Sequence, residues 1–409
     1  MKILIPAHLF SDVIPNGLPV VTWNTVNFLA QKGVKVYVTS NRTELKNIKK
    51  EDLHPNIKLF TIGHCYRSLT FDKTCTLKNG FFSLLIILFY NIDYVYVLDP
   101  AAAGFFAKFK LKPVATRALR YYDYQDPKVG ESLKYDRSRK RQEEGLPITR
   151  SFIQRVEDYI ASLLLKFIKM DLYDKKIDLL FFLSQDSITP EVKAMTRTKL
   201  VPLNQGVDAQ KFYAPTKEEV AKIKNGKFIF LFVGKVAKRK GVEYLIEAFN
   251  KLAPEAPDAE VWLVGAGAPD TVEFFQSLIK TDRIKILGRI LTDEIPSYYQ
   301  ACDVFVLPSL DEAASNAVAE AFVCGKPVIT TKVGQVLDYF KDGEFGLLVE
   351  PADSEGLYNA MKKVYQNKGL REKMAANTKK HGMENYTMDK VVETIIKGFE
   401  ELKINNKPK

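Results

Sequence analysis

Two doubly wound α/β domains are the fold class this sequence predicts, and three observations carry the prediction. Short apolar runs alternate with helical patterns almost throughout. The runs are rich in Val, Ile, Leu and Phe on both faces, as in parallel sheets covered on each side by helices. The chain, at 409 residues, exceeds what one ordinary core holds, so roughly six strands in each half suit two sheets better than one.

In the first half, Ile3–Ile5 reads as a strand and Pro19–Gln31 as a helix closed by Gly33, a residue suited to the left-handed position after a helix end. Val34–Thr39, Tyr94–Leu98, Val114–Thr116 and Leu179–Leu183 continue as strands. Phe81–Tyr90 is the most apolar stretch and reads as a buried helix leading into Tyr94–Leu98; docking on a membrane is the alternative. In the second half Phe228–Val233, Glu260–Val264, Ile284–Leu287, Val304–Leu307, Val328–Thr330 and Leu347–Val349 are strands. Val242–Ala253, Thr271–Lys280 and Asp293–Ala301 are helices between them. Gly206, Asp208 and Pro215 interrupt the pattern, which puts a first domain at 1–207 and a second at 208–387. The amphipathic segment Met388–Leu402 either caps the second domain or reaches back to the first, to which 388–409 is assigned.

A composition of 46% hydrophobic and 27% charged residues is that of a globular protein and excludes disorder and collagen-like repeats. No apolar stretch nears the roughly 18 residues of a spanning helix, and Pro6 and His8 break the first apolar run too early for a signal peptide. A cytoplasmic protein is expected, with a peripheral position at the inner face of the membrane left open. The 60 Lys+Arg against 49 Asp+Glu give +11, a balance that favours anionic partners. No zinc, basic-zipper or RNA-binding signature accompanies it, so nucleic acid is not expected as a partner. Lys134–Arg141 is either a solvated helix face or an anionic-membrane patch. Cys65, Cys75, Cys302 and Cys324 form no CxxC pair and read as reduced thiols.

Two segments point to chemistry. Strand Val304–Leu307 ends at Pro308, a loop carries Asp311 and Glu312, and a helix begins near Asn316. Ligands of open α/β sheets bind beyond the carboxyl ends of the strands, where helix N-termini present unpaired N–H groups. Ser315 and Asn316 suit an N-cap, and the amides from Ala313 to Ala317 could hold hydroxyls or a phosphate. Glu312 and, one turn beyond Asn316, Glu320 are carboxylates able to accept hydrogen bonds from paired sugar hydroxyls. The plainer reading is acids favoured beside a helix start. The second segment, Gly234–Lys–Val–Ala–Lys–Arg–Lys–Gly241, packs four cations between two glycines after a buried strand, which suits a phosphate better than a solvated loop. No Asp-x-Asp pair occurs in the chain, so no metal is suggested, and Lys235 and Lys240 would supply the counter-charge.

In combination these residues resemble the family 4 glycosyltransferases of the GT-B fold, through the whole second half. Glu312 and Glu320 stand in that family's Glu-x7-Glu arrangement. Gly234, Lys235, Lys240 and Gly241 occupy its phosphate-binding positions. Leu263–Gly267, with Gly265, and Ile286–Arg289, ending on Arg289, look like its nucleotide-side turns. Gln205–Asp208 resembles its linker. The resemblance implies two Rossmann-like domains facing a cleft, and retaining transfer of a sugar from a nucleotide diphosphate donor without metal or other cofactor. Glu320 would then hold the ribose, Glu312 the donor sugar, the amides of Ser315, Asn316 and Ala317 its hydroxyls, and Lys235 and Lys240 the diphosphate. The implied acceptor is a glycan, a lipid-linked sugar or another hydroxyl compound.

The sequence also departs from that pattern. Lys stands at 235 where Arg is common. Of the usual paired glycines only Gly17 remains, still able to let backbone approach a phosphate. The segment after Val114–Thr116 carries Arg117, Tyr121 and Asp123 in place of a His, so these residues and His8 are the acceptor-side candidates. A non-catalytic binder of nucleotide sugars or membrane surfaces is the second reading. A nicotinamide oxidoreductase is the third, weakened because Asp270 occupies the third glycine position of its fingerprint.

Overall fold

Apolar runs of four to seven residues become strands here because burial on both faces removes them from water without a polar side to satisfy. The computed structural model describes residues 1–7, 17–41, 53–62, 73–98, 106, 109, 111–118, 177–183, 185, 188, 190–194, 197–312 and 314–405. The chain divides into two units, Met1–Pro202 with Ile396–Lys409, and Leu203–Ile395.

Among the described residues, the first unit holds seven parallel strands: β1 (Lys2–Pro6), β2 (Lys35–Asn41), β3 (Ile57–Ile62), β4 (Tyr94–Val97), β5 (Val114–Ala118), β6 (Leu179–Phe182) and β7 (Lys199–Pro202). Their order is β3-β2-β1-β4-β5-β6-β7, so the winding reverses between β1 and β4, where Ile3 lies beside Tyr94 and Leu4 beside Val95. Helix Gly17–Gln31 ends as the sequence predicts. Gly33, at φ +82°, donates to the Ala30 carbonyl at 3.0 Å while Val34 N–H reaches Leu29 at 3.1 Å.

The second unit holds six parallel strands: β8 (Phe228–Val233), β9 (Ala259–Val264), β10 (Ile284–Gly288), β11 (Val304–Leu307), β12 (Val328–Thr331) and β13 (Gly346–Val349). Their order is β10-β9-β8-β11-β12-β13, with the reversal between β8 and β11. Helix Val242–Leu252 buries Leu245, Ile246, Phe249 and Leu252 against the sheet, the spacing of one helical face.

Three expectations are corrected. Two strands, β3 and β7, join the five read in the first half. The apolar stretch Phe81–Tyr90 belongs to a longer helix, Lys73–Tyr90, and the stretch itself is only half buried. Ser83, Ile86 and Ile87 face the core while Phe81, Leu85, Leu88 and Phe89 face outward. The expected divide at 207/208 lies just inside the second unit, because Val207 is tied there. Its N–H reaches the Tyr386 carbonyl and its own carbonyl accepts Met388 N–H, both at 2.8 Å.

The last helix, Met388–Asn405, passes from one unit to the other at Ile395 and Ile396. Its later part rests on the first sheet through Gly398, whose absent Cβ would stand 3.1 Å from Leu179 and Phe181, and through Phe399, 4.8 Å from the Tyr94 ring. Lys134–Arg141 and Cys65 lie outside the described residues, as does the Cys75 side chain; Cys302 and Cys324 are buried free thiols.

Candidate functional site

The reversal between β8 and β11 sends the loops after these two strands in opposite directions and leaves a crevice at their carboxyl ends. Loop closure there depends on glycine. Gly265, at φ +142°, packs so tightly that a Cβ would stand 1.8 Å from the Gly234 carbonyl oxygen. The turn after β8 runs beside the turn after β9, with Gly234 N–H on Val264 at 3.0 Å and Val236 N–H on Ala266 at 2.9 Å.

Lys238–Lys240 then forms one 3₁₀ turn, and Gly241 at φ +65° starts helix Val242–Leu252 directly against the Pro308 carbonyl. Arg239 fastens the two loops. Its carbonyl accepts Leu310 N–H at 2.9 Å, and its guanidinium donates to the Asp311 carbonyl at 2.6 Å. Across this clasp the Lys240 ammonium meets the Glu312 carboxylate, with the two side chains only 14% and 13% exposed. Thr330 donates to the Leu307 carbonyl at 2.8 Å, which holds the end of β11 to β12.

The helix Asn316–Val323 follows. Ser315 is its N-cap, accepting from Val318 N–H at 3.3 Å as the sequence predicts, so Asn316 and Ala317 open the helix with their N–H groups at the sheet's carboxyl end. Glu320 lies on the same helix against Tyr299. Although the residue keeps a partly exposed surface, its carboxyl sits among protein atoms. That enclosure pushes it up to about 7, opposed by a hydrogen bond from the Tyr299 hydroxyl and the charge of Lys211. Lys211 is itself bonded to Asp293 at 2.6 Å.

The predicted residues therefore fall into groups. Lys240 and Glu312 touch; Gly234 and Gly265 touch; Ser315, Asn316, Ala317 and Glu320 share one short helix start at the same sheet end. Lys235 is exposed at the end of β8. Arg289 is exposed after β10, an edge strand separated from β8 by β9. Gly17 opens the first unit's helix Gly17–Gln31. Arg117 is buried at the end of β5 beside Tyr96, and burial pushes its guanidinium down from its ordinary value. His8, Tyr121 and Asp123 lie outside the described residues. Sequence reading missed Arg239, counted there only as one more cation, and Tyr299 and Lys211, whose relation to Glu320 leaves no mark in local spacing.

Residues 214–381, most of the second unit, match the family described as Glycosyl transferases group 1. The second unit is therefore similar to a group 1 glycosyl transferase domain. Within it the match spans the basic loop, the Glu312 loop and the helix of Glu320 alike. An uncharacterized glycosyltransferase of Methanocaldococcus jannaschii is 32% identical over 173 residues, 42% of this chain and 48% of that protein. The matches span half or less of the length of the curated relatives. Outside residues 214–381 the likeness is one of fold. A glycosyltransferase from Rickettsia africae ESF-5 has a TM-score of 0.73 at 18% identity, covering 99% of both chains. Anabaena HepE, crystallised in complex with UDP-glucose, has a TM-score of 0.66 at 20% identity, covering 98% of this chain and all of that one. Both units are thus Rossmann-like parallel-sheet domains of the GT-B type.

Proposed function

We propose that the protein is a metal-independent, retaining glycosyltransferase that moves a hexosyl group from a nucleotide diphosphate donor to a glycan, lipid-linked or other hydroxyl acceptor. The observation that supports this reading best is the pairing of Lys240 with Glu312 at the winding reversal of the second sheet. A cation and a carboxylate enclosed together can exchange partners: the diphosphate takes the ammonium, and the sugar hydroxyls donate to the freed carboxylate. At about 4 Å such opposite charges attract by roughly 4 kcal/mol near a protein surface, against about 1 in water.

In this reading the bond between the anomeric carbon and the diphosphate breaks with its electron pair leaving on the phosphate oxygen. Lys240 and Lys235 hold that growing charge as the carbon passes through an oxocarbenium-like state. The acceptor oxygen bonds to the carbon on the face being vacated, and its proton passes to the departing phosphate. Glu320 holds the ribose, and Arg117 is the described acceptor-side candidate.

UDP-glucose, named with HepE, is the first donor to try. Purified chain is incubated with it and with other nucleotide sugars, and thermal shift, donor consumption and product configuration are read. Transfer with retained configuration supports the proposal. Binding without consumption of any donor would leave a non-catalytic nucleotide-sugar binder instead. If lysines alone supply the counter-charge, EDTA leaves the rate within about twofold of its untreated value; a rate abolished by EDTA and restored by a divalent ion overturns that part.

Glu320 gives a pH signature. An ionised carboxylate accepts from both ribose hydroxyls, whereas a protonated one turns half of itself into a donor. UDP-glucose, a diester without its own titration near neutrality, should bind more weakly as pH falls below about 7, by at most about tenfold per pH unit, levelling off at the weaker affinity of the protonated form. Isothermal titration of wild type and Glu320→Gln between pH 5.5 and 8.5 checks this. The variant should bind weakly and without that slope, and a slope of equal size in both removes Glu320 from the ribose.

A further inference from the structure

Between Gly80 and Tyr90, helix Lys73–Tyr90 is clothed on one side only. Ser83, Ile86 and Ile87 pack inward, with the Ser83 hydroxyl 3.1 Å from that of Thr39, while Phe81, Leu85, Leu88 and Phe89 follow one another along the outer stripe at helical spacing. Leu88 is 67% and Phe89 81% exposed, unusual for large apolar side chains in a row. The stripe extends sideways, since the Phe81 ring meets the Phe109 ring edge-on at 6.4 Å and Leu111 beyond it is also exposed.

Among the described residues, the charged side chains that touch this helix are cations. At the helix end, Lys58 lies over the Tyr90 ring at 5.0 Å and Lys2 donates to the Tyr90 carbonyl at 3.0 Å. Lys112 follows Leu111, and neither 73–90 nor 105–113 contains an acidic residue. In sequence, Asp72 stands directly before this helix, and Asp93 beyond it accepts from the Lys2 backbone N–H at 2.8 Å. An apolar stripe rimmed by cations suits a surface that offers acyl chains beneath anionic headgroups. A second copy of the chain would set this rim against an identical rim of lysines. Among the described residues no helix is long and apolar enough to cross a membrane, which agrees with lying in the interface plane.

We propose that the outer face of helix Lys73–Tyr90, with Phe109 and Leu111, docks the first unit on an anionic lipid bilayer, Leu88 and Phe89 entering the headgroup boundary and Lys58 and Lys112 facing the headgroups. This stands apart from the transferase reading, because it concerns the other unit and is tested without a sugar donor.

The full chain is sedimented with phosphatidylcholine vesicles containing about one third phosphatidylglycerol, and with phosphatidylcholine alone. Wild type should partition at least about tenfold better into the anionic vesicles, and should release as salt is raised. Leu88→Ser/Phe89→Ser, both positions being exposed, should lose at least about tenfold of that partition with an unchanged melting temperature. Phe89→Trp supplies a second readout, its fluorescence shifting to the blue on addition of anionic vesicles. Absence of binding to anionic vesicles, or equal binding by the double variant, overturns the proposal. So does a dimer in solution that the double variant abolishes, since the face would then be an interface between copies.

Discussion

Lys240→Ala is expected to lower sugar-transfer turnover by at least about tenfold, a loss of roughly 1.4 kcal/mol of transition-state stabilisation, and Glu312→Ala by at least as much. Each change removes one half of a largely enclosed ion pair and strands the other. A stranded buried charge is costly, on the order of 3 kcal/mol, so each single variant should also melt earlier than wild type. The double variant separates the two roles. With both charges gone it should recover part of the melting temperature yet stay as slow as the slower single variant. Steady-state kinetics on the three proteins, with calorimetry alongside, makes the comparison. Near-wild-type turnover in both single variants would refute the catalytic assignment. Recovery of turnover in the double variant would show that the pair matters only to folding.

The second large effect should come from Gly241→Ala. A methyl group there would stand 1.9 Å from the Pro308 carbonyl oxygen, at a φ of +65° that side chains adopt reluctantly. Neither obstacle is the far end of a flexible side chain, so the start of helix Val242–Leu252 would have to move away from the end of β11, taking Lys240 with it. About 3 kcal/mol of lost stability is expected, which for a unit of this size lowers the melting temperature by roughly 6–12 °C. Gly226 provides the control, for it has a similar φ of +71° with nothing within 4 Å of the position of a Cβ. Gly226→Ala should cost only the backbone term, about 1 kcal/mol. Equal losses in the two variants would mean that the approach to Pro308 is not what demands glycine.

Edge strands are the harder ones to read, although the second sheet's edges β10 and β13 keep apolar runs and were legible. All six strands of the second sheet announce themselves as apolar runs, and five of the seven in the first do too. The two unread ones, β3 and β7, are the two edges of the seven-stranded sheet. An edge strand is covered less completely, so Lys58 and Thr61 in β3, and Lys199 and Pro202 in β7, can interrupt it without penalty. Phe81–Tyr90 misled in the opposite direction. A run of Phe, Leu and Ile carries no sign of which side meets the core, and the sheet beneath covers only one face of it. At the site, Ser315 was readable because a cap acts on residues three positions away. The pairing of Lys240 with Glu312, 72 residues apart, was not readable from spacing; only the likeness to a family placed both at one ligand.

Taken by itself, the sequence determined the number of sheets, the parallel run of their strands and the residue types available to bind an anion, because burial and helix capping are written in residue type and near neighbours. The tertiary structure alone decided that β8 lies beside β11, that Arg239 ties their loops together, that Glu320 is enclosed against Tyr299, and that Leu88 and Phe89 face outward. Those facts depend on the order in which strands assemble, and strand order is a property of the whole sheet that no local segment encodes.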